Sequence, residues 1–294
     1  MKDPIFTGSG VALVTPFTDS GVDYDKLAEL LDFHIANHTD AILVCGTTGE
    51  SSTMPDEEHK AVIKFTVEHV AGRIPVIAGT GSNDTRHAIE LSQFAESAGA
   101  DGLLIVTPYY NKTTQKGLYL HTKAIADSVR LPIILYNIPG RTGGLMFSLE
   151  TLKKLSQIPN INAIKEATGD VAFAAQIAAE TDLVIYSGND DIILPILSIG
   201  GQGVLSVMAN LLPKETHDIC ESFFAGDFAD AKDSFLKYMK LIKTLFIEVN
   251  PIPVKTAMNL AGMQVGPLRM PLCEMEEKNL ETLKAVMREY GFAL

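Results

Sequence analysis

Short apolar segments rich in β-branched residues alternate with amphipathic segments along most of the chain. Eight strand candidates recur roughly every 30 residues, as the βα units of a barrel do. They span residues 10–15, 41–45, 75–78, 102–106, 133–136, 162–165, 183–186 and 203–207. The helical patterns between them span residues 24–37, 56–70, 85–97, 115–128, 148–155, 171–179 and 191–199. Because such alternation indicates a parallel sheet covered on both faces, the sequence predicts an α/β protein with a closed (β/α)8 TIM barrel.

The pattern changes to helices alone from about Pro213. Helical spacing there covers residues 217–224, 228–247, 253–260 and 274–290. We expect the first of these helices to complete the barrel and the others to form a C-terminal helical appendage. The sequence predicts a (β/α)8 catalytic barrel of residues 1–225 and a C-terminal helical region of residues 226–294. We expect the C-terminal region to serve packing or assembly.

Net charge, cysteine spacing and apolar segments limit the kinds of partner and the cellular compartment that this chain can have. The 294 residues carry a formal net charge of −12, which argues against nucleic acid and anionic membrane surfaces as partners. Cys45, Cys220 and Cys273 are far apart and form no CxxC pair, which is typical of a reducing cytosol. The first residues lack a signal-peptide pattern, and no apolar segment approaches the roughly 20 residues of a membrane span. We therefore expect a cytoplasmic protein.

No stretch of the sequence has the spacing of a cofactor or metal site. Residues 79–82 supply only a GxG, and the glycines of residues 200–203 precede a strand, so neither is a dinucleotide fingerprint. We interpret Asp190 and Asp191 as an N-cap and a first-turn acid rather than a magnesium site. Cys45, inside an apolar strand candidate, is interpreted as a core thiol. We expect neither a metal nor an organic cofactor.

The segments that follow the strands are the candidates for chemistry, because the carboxyl ends of the strands build the active site in TIM barrels. These segments are residues 46–51, 107–112, 136–143, 165–169 and 187–190. Together they hold an amine directly at a strand end, several hydroxyls, an arginine and many glycines.

Lys165 is the amine at the end of the sixth strand candidate. Burial disfavours the ammonium form, so a lysine here can be poised as a neutral amine that attacks a carbonyl. The alternative is a structural ion pair with Glu166, although adjacent residues of a strand point to opposite faces. Tyr136 ends the fifth strand candidate and either exchanges protons with a carbinolamine or packs in the core.

Two further groups could bind carboxylates at the same mouth. Thr47 and Thr48 offer hydroxyls and close backbone N–H groups to a small carboxylate, or else form a polar turn. Arg141 offers a planar fork to a second carboxylate, or else forms a surface salt bridge. Each alternative is reasonable alone, but the convergence of Lys165, Tyr136 and these groups on one mouth favours catalysis.

Several longer motifs match one family in the same order along the chain. They are residues 46–51 (GTTGES), 107–111 (TPYYN), 136–143 (YNIPGRTG), 164–167 (IKEA), 187–190 (SGND) and 250–255 (NPIPVK). On these motifs the chain resembles the dihydrodipicolinate synthase family, within the pyruvate-dependent class I aldolases that include N-acetylneuraminate lyase. The resemblance runs over essentially the whole length.

The resemblance implies a condensation of pyruvate with L-aspartate 4-semialdehyde, the first committed step of diaminopimelate and lysine biosynthesis. It implies that Lys165 forms the Schiff base and that Tyr136 transfers protons, in a relay with Thr47 and with Tyr110 from a neighbouring subunit. The implied substrate-binding positions are Thr48 and the backbone at Leu205 for pyruvate, Arg141 for the aldehyde's carboxylate, and Gly188. The family implies no metal or organic cofactor and a homotetramer built as a dimer of dimers.

Members of the family that are inhibited by L-lysine bind it at a subunit interface. The positions that correspond here are Ser52, Asp56, His59, Asn83, His87 and Tyr109. The family pattern has glutamate where this chain has His87, and histidine or lysine where it has Asp56. Because the missing carboxylate would hold the lysine α-amino group, we expect weak or absent inhibition by L-lysine.

Two other functions fit part of this pattern. A sister aldolase that cleaves a sugar acid, such as N-acetylneuraminate or a 2-keto-3-deoxy acid, would share Lys165, Tyr136 and the barrel. Arg141 and the paired Thr47 and Thr48 favour the short dicarboxylic product instead. A non-catalytic barrel that binds keto acids would form no covalent bond at Lys165.

Overall fold

The computed structural model describes residues 2–294, and its main feature is a closed barrel of eight parallel strands. The strands are β1 (Gly8–Ala12), β2 (Phe17–Thr18), β3 (Gly21–Val22), β4 (Ala41–Val44), β5 (Val76–Gly79), β6 (Gly102–Val106), β7 (Ile133–Asn137), β8 (Ile161–Glu166), β9 (Val184–Ser187) and β10 (Gly203–Ser206). β2 and β3 form a small antiparallel hairpin, which the sequence did not indicate. The others pair in parallel, and β1 pairs with both β4 and β10, which closes the barrel. The predicted TIM barrel is confirmed.

A helix follows each strand of the barrel, and three more helices come after it. These are α1 (Tyr24–Ala36), α2 (Asp56–Val70), α3 (Thr85–Ala98), α4 (Gln115–Asp127), α5 (Leu149–Leu155), α6 (Val171–Glu180), α7 (Ile193–Ser198), α8 (Pro213–Phe224), α9 (Phe228–Thr244), α10 (Ile252–Leu260) and α11 (Glu277–Glu289). α8 packs against β1 and completes the barrel, as expected. The division of the chain at residues 225 and 226 stays a prediction. Within residues 2–294, no helix combines the length and the apolar character needed to span a bilayer.

The predicted strands differ from the observed ones by at most one residue at each end, except for the first. The apolar run at residues 10–15 predicts a strand there, whereas β1 covers Gly8–Ala12. The run continues as buried chain, but its backbone leaves the ladder because Val14 N–H donates to the Asn210 side chain at 3.0 Å. The Thr15 hydroxyl then donates to the Gly49 carbonyl at 2.7 Å, which ties this segment to the mouth of the barrel.

Polar N-cap residues mark where six of the helices begin. Side chains of six N-cap residues accept a backbone N–H of the first turn, which satisfies donors that a helix leaves unpaired. These residues are Asp23, Asp84, Thr114, Ser148, Asp170 and Asp227. Five of these residues begin helices of the barrel, and Asp227 begins α9 beyond it. The five caps therefore limit the length of the loops that precede those helices.

The inside of the barrel is filled by alternate residues of the strands. Ile134 and Tyr136 of β7, and Val184 and Tyr186 of β9, belong to this inner cluster. Phe6 closes the far end, where its ring stacks on Tyr186 at 4.4 Å between centroids and its carbonyl accepts the Tyr186 hydroxyl at 2.7 Å. The inward-facing positions therefore form a continuous packed column that ends at the mouth.

Candidate active site

Lys165 and Tyr136 are direct neighbours in the register of β8 and β7. Both side chains are buried, with exposed fractions of 5% and 6%. The Lys165 Nζ lies 4.6 Å from the centre of the Tyr136 ring. The structure thus brings the predicted amine and the predicted phenol together at the top of the inner column.

Burial decides the protonation of both groups. Desolvation, with a smaller contribution from Arg141, lowers the pKa of Lys165 to about 8, against the opposing effect of the Asp190 carboxylate. Desolvation raises the pKa of Tyr136 to about 12, although Arg141 and a hydrogen bond with Thr47 act in the other direction. Near neutral pH the phenol holds its proton, and an appreciable fraction of the amine is neutral.

These pKa values predict how covalent capture of a keto acid depends on pH. Because only the neutral Lys165 amine attacks, the rate of formation of a borohydride-trapped pyruvate adduct should rise about tenfold per pH unit below about pH 8 and level off above it. Asp190→Asn removes a charge that raises the pKa of Lys165, so the midpoint should move to lower pH. The measurement is the pH profile of adduct formation by intact mass. A midpoint that stays in place or rises would contradict the assignment.

Asp190 is a functional candidate that the sequence interpretation placed wrongly. Its carboxylate accepts the backbone N–H groups of Val207 and Met208, both at 3.0 Å, and so does not cap its own helix. It opens the 3₁₀ turn Asp190–Ile192, which precedes α7 and replaces the start of the predicted helix at residue 191. It is 2% exposed, and the Ser206 side chain on β10 also interacts with its carboxyl group. The only sequence signal was an acid directly after a barrel strand.

Glu166 takes no part in an ion pair with Lys165. The side chain of Asn137 donates to one carboxylate oxygen of Glu166 at 3.0 Å, and the backbone N–H of Thr168 donates to the other at 2.7 Å. Asn137 also accepts the N–H of Phe147 at 3.0 Å. Glu166 therefore faces away from the inner column, as the alternation of the strand predicts, and braces the loops after β7 and β8.

The loop after β4 carries Thr47 and Thr48. Thr47 interacts with the Tyr136 phenol. Thr48 is 3% exposed, and its hydroxyl oxygen accepts the side-chain amide of Asn250 at 3.0 Å. Glu50, two residues after Thr48, adopts a left-handed backbone (φ 55°) and is buried. The pair is therefore a rigid, hydrogen-bonded part of the mouth rather than a free polar turn.

A buried ion pair holds this loop against the C-terminal helices. The Lys255 Nζ donates to Glu50 at 2.7 Å and to the Pro267 carbonyl at 2.7 Å, and both charged side chains are 1% exposed. The other oxygen of Glu50 accepts the N–H of Arg269 at 2.9 Å. Glu50 and Lys255 lie in the motifs at residues 46–51 and 250–255, but nothing in the sequence indicated that they pair, because their positions differ by 205.

Lys255→Met should lower the free energy of unfolding by about 3–5 kcal/mol, since it leaves the Glu50 charge buried without its partner. The double variant Glu50→Gln/Lys255→Met should recover part of this loss, because no lone charge remains. Urea unfolding midpoints at one protein concentration measure both effects. Equal losses in the two variants would show that the charge pair is not the cause.

Arg141 forms no salt bridge with a carboxylate among the described residues. Its Nη2 donates to the backbone carbonyl of Asn250 at 2.7 Å, while the residue remains exposed at the mouth. Leu205 lies on β10 in the inner column, and Gly188 directly follows β9. A Cβ at Gly188 would lie 2.6 Å from that of Ala167, so this position requires glycine for close approach of the two loops.

Tyr110 is not brought to Tyr136 within one chain. It is 92% exposed and holds a left-handed backbone (φ 67°). Its neighbour Tyr109 does line the cavity at the mouth. Cys45 also lines this cavity, but desolvation raises the pKa of its thiol, which agrees with its interpretation as a core thiol.

The cavity at the mouth has a volume of about 390 Å³ and continues from Tyr136, Thr47 and Arg141 toward the outer positions. Five of the six possible effector positions line it, namely Ser52, Asp56, His59, His87 and Tyr109. The sixth, Asn83, donates to the Tyr109 carbonyl at 3.2 Å. The structure therefore brings all six together. Within residues 2–294, no group of three or more His, Cys, Asp or Glu side chains is arranged to hold a metal ion.

Comparison with known proteins gives a single family. Residues 5–290 match the Dihydrodipicolinate synthetase family. The 4-hydroxy-tetrahydrodipicolinate synthase of Acetivibrio thermocellus is 58% identical over 291 residues, which cover 99% of both chains. Dihydrodipicolinate synthase from Aquifex aeolicus is 47% identical, with a TM-score of 0.96 over 98% of this chain and 99% of that one. The enzyme from Cyanidioschyzon merolae, solved with lysine bound, is 41% identical, with a TM-score of 0.95 over 99% and 100%.

Proposed function

Because the chain belongs to the dihydrodipicolinate synthetase family, we propose that it is a lyase that condenses pyruvate with L-aspartate 4-semialdehyde. The product is 4-hydroxy-tetrahydrodipicolinate, at the start of diaminopimelate and lysine biosynthesis. The observation that carries this proposal is the buried Lys165 amine beside the Tyr136 phenol, in a chain that matches the family almost from end to end.

The first step joins pyruvate to the enzyme. The neutral Lys165 amine attacks the ketone carbon, and a carbinolamine forms and loses water to give an iminium ion. The Thr48 hydroxyl and the backbone at Leu205 hold the pyruvate carboxylate, and Gly188 leaves room beside them. Tyr136, which holds its proton at neutral pH, supplies the proton that allows hydroxide to leave as water.

The second step forms the carbon–carbon bond. Loss of a methyl proton from the iminium gives an enamine, which attacks the aldehyde carbon of L-aspartate 4-semialdehyde. Tyr136 moves the protons in a relay with Thr47 and with Tyr110 from a neighbouring subunit. Arg141 binds the carboxylate of the aldehyde with its guanidinium. The substrate's amino group then attacks the iminium carbon, so that the ring closes and Lys165 leaves as the free amine.

A homotetramer built as a dimer of dimers fits this relay. Tyr110 is almost fully exposed on one chain, has a left-handed backbone and does not line the cavity that contains that chain's own Tyr136. An exposed tyrosine is available to a site on a neighbouring chain, which supports this part of the proposal. Two such chains facing each other would complete both sites.

Turnover tests the proposal against the sugar-acid alternative. The purified protein should consume pyruvate and L-aspartate 4-semialdehyde in equal amounts and should release no pyruvate from N-acetylneuraminate or a 2-keto-3-deoxy acid. Arg141→Ala should raise the KM for the aldehyde while pyruvate still forms its adduct. If the protein released pyruvate from a sugar acid and did not consume the semialdehyde, it would be the sister aldolase that cleaves sugar acids.

We expect L-lysine to inhibit weakly or not at all. The outer positions hold a histidine and an aspartate that already bind each other, with His87 Nε2 and Asp56 Oδ1 at 2.9 Å. Position 87 therefore offers no carboxylate to the α-ammonium group of L-lysine, and the Asp56 carboxylate is already paired with His87. Initial rates across a lysine titration give the measurement, and half-inhibition at sub-millimolar lysine would contradict the expectation. The double variant Asp56→His/His87→Glu should become more sensitive than the wild type.

A further inference from the structure

Asn250 contacts both side chains to which the proposed function assigns a substrate carboxylate. Its side-chain Nδ2 donates to the Thr48 hydroxyl oxygen at 3.0 Å. Its backbone carbonyl accepts the Arg141 Nη2 at 2.7 Å. Asn250 is 8% exposed and lines the same cavity as Tyr136 and Arg141, although it lies beyond the barrel, between α9 and α10.

The direction of the first hydrogen bond matters for chemistry. A hydroxyl has one proton, and an oxygen that accepts from an amide directs its own proton elsewhere. Thr48 is thus prepared to donate its proton to an acceptor placed beside it, and a carboxylate is the strongest such acceptor. Asn250 fixes the hydroxyl as a donor before any substrate arrives.

Asn250 is also held firmly in place. The buried Lys255–Glu50 pair joins α10 to the loop two residues after Thr48. Among residues 2–294, nothing donates to the Asn250 Oδ1, although that atom is buried. An unpaired buried amide oxygen is unfavourable, so packing alone is a poor reason for an asparagine at this position.

We propose that Asn250 is a positioning residue that orients the Thr48 hydroxyl toward the carboxylate of pyruvate and sets the separation between Thr48 and Arg141. The inference rests on the proposed function. It also gives the C-terminal region a part in the active site, beyond packing or assembly. A fixed separation between two carboxylate-binding groups favours a product whose two carboxylates match that separation.

The side chain and the backbone of Asn250 can be tested separately. Asn250→Ala removes the bond to Thr48 but keeps the carbonyl that binds Arg141. We expect the KM for pyruvate to rise about fivefold to tenfold, as for the loss of one hydrogen bond, and the KM for the aldehyde to stay within about twofold. Asn259→Ala is the matched control, since Asn259 lies on α10 and donates only to the Gly266 carbonyl at 2.8 Å.

Asn250→Asp distinguishes positioning from structural support. The carboxylate is close in shape to the amide but only accepts, so it draws the Thr48 proton away from the substrate. We expect a larger rise in the KM for pyruvate than in Asn250→Ala. A purely structural role predicts the opposite order, with the isosteric variant milder, and that order would overturn the proposal.

A double-mutant cycle with Thr48→Val shows whether Asn250 acts through Thr48. In the Thr48→Val background, Asn250→Ala should cause no further rise in the pyruvate concentration for half-maximal borohydride trapping. Additive effects would overturn the proposal. Trapping needs no turnover, and a thermal melt verifies that each variant is folded. If the wild type itself forms no pyruvate adduct, the proposed function fails. If it does, and Asn250→Ala saturates at the same pyruvate concentration, only the role of Asn250 fails.

Discussion

Replacing Lys165 with alanine should abolish both the pyruvate adduct and the condensation, with a loss of more than about 10³-fold in kcat. The Lys165 amine is the group that forms the covalent bond, and within residues 2–294 it is the amine that lies over the Tyr136 ring. The measurement is borohydride reduction in the presence of pyruvate, followed by peptide mass spectrometry. The wild type should carry one three-carbon adduct, on the peptide that contains Lys165.

Two controls make this result specific. Lys154→Ala removes an exposed lysine and should leave adduct and turnover unchanged. Lys165→Arg keeps a positive charge in the same place but removes the nucleophile, so it should be as inactive as the alanine variant. An adduct on another lysine, or turnover by Lys165→Ala near that of the wild type, would exclude the Schiff-base mechanism.

Tyr136→Phe should lower kcat by about 10²- to 10⁴-fold, the range for the loss of a positioned acid and base. The ring would still fill the top of the inner column, so the KM for pyruvate should change little. The variant should still form a trapped adduct, but more slowly, because the amine remains. Steady-state kinetics and the time course of trapping measure the two effects separately.

Tyr186→Phe is the matched control for this prediction. It removes a hydroxyl from the same inner cluster, but that hydroxyl bonds to the Phe6 backbone at the far end of the barrel. We expect a lower melting temperature and a kcat close to that of the wild type. If both phenylalanine variants lose activity to the same extent, the loss reflects packing and Tyr136 is not the proton donor.

The sequence predicted those features that depend on local periodicity. The barrel, and the place of Lys165 and Tyr136 at its mouth, follow from apolar strands and from the rule that strand ends build the site. Asp190 was misplaced because a local pattern indicated a helix cap, whereas its carboxylate binds N–H groups 17 and 18 residues further on. Burial of the charged group, and not its neighbours in sequence, decided its partners.

The contacts of the C-terminal region lay outside any such pattern. Asn250 reaches Thr48 across 202 positions, and its segment has neither the period of a strand nor that of a helix. The motif at residues 250–255 is distinguished only by its resemblance to a family. Its chemistry depends on a tertiary contact, and such contacts are set by the packing of α10 on the mouth, which periodicity does not encode.

The inner column of the barrel has a consequence for how this protein can change over generations. Lys165 and Tyr136 are the uppermost members of a stack that runs down through Ala163 and Ile134. A larger or smaller residue in a lower layer would shift the layers above it, because packed interiors transmit strain. Variation in the column is therefore constrained by chemistry as well as by folding. New specificities are accessible through the loops and the C-terminal segment, which can vary while the column stays the same.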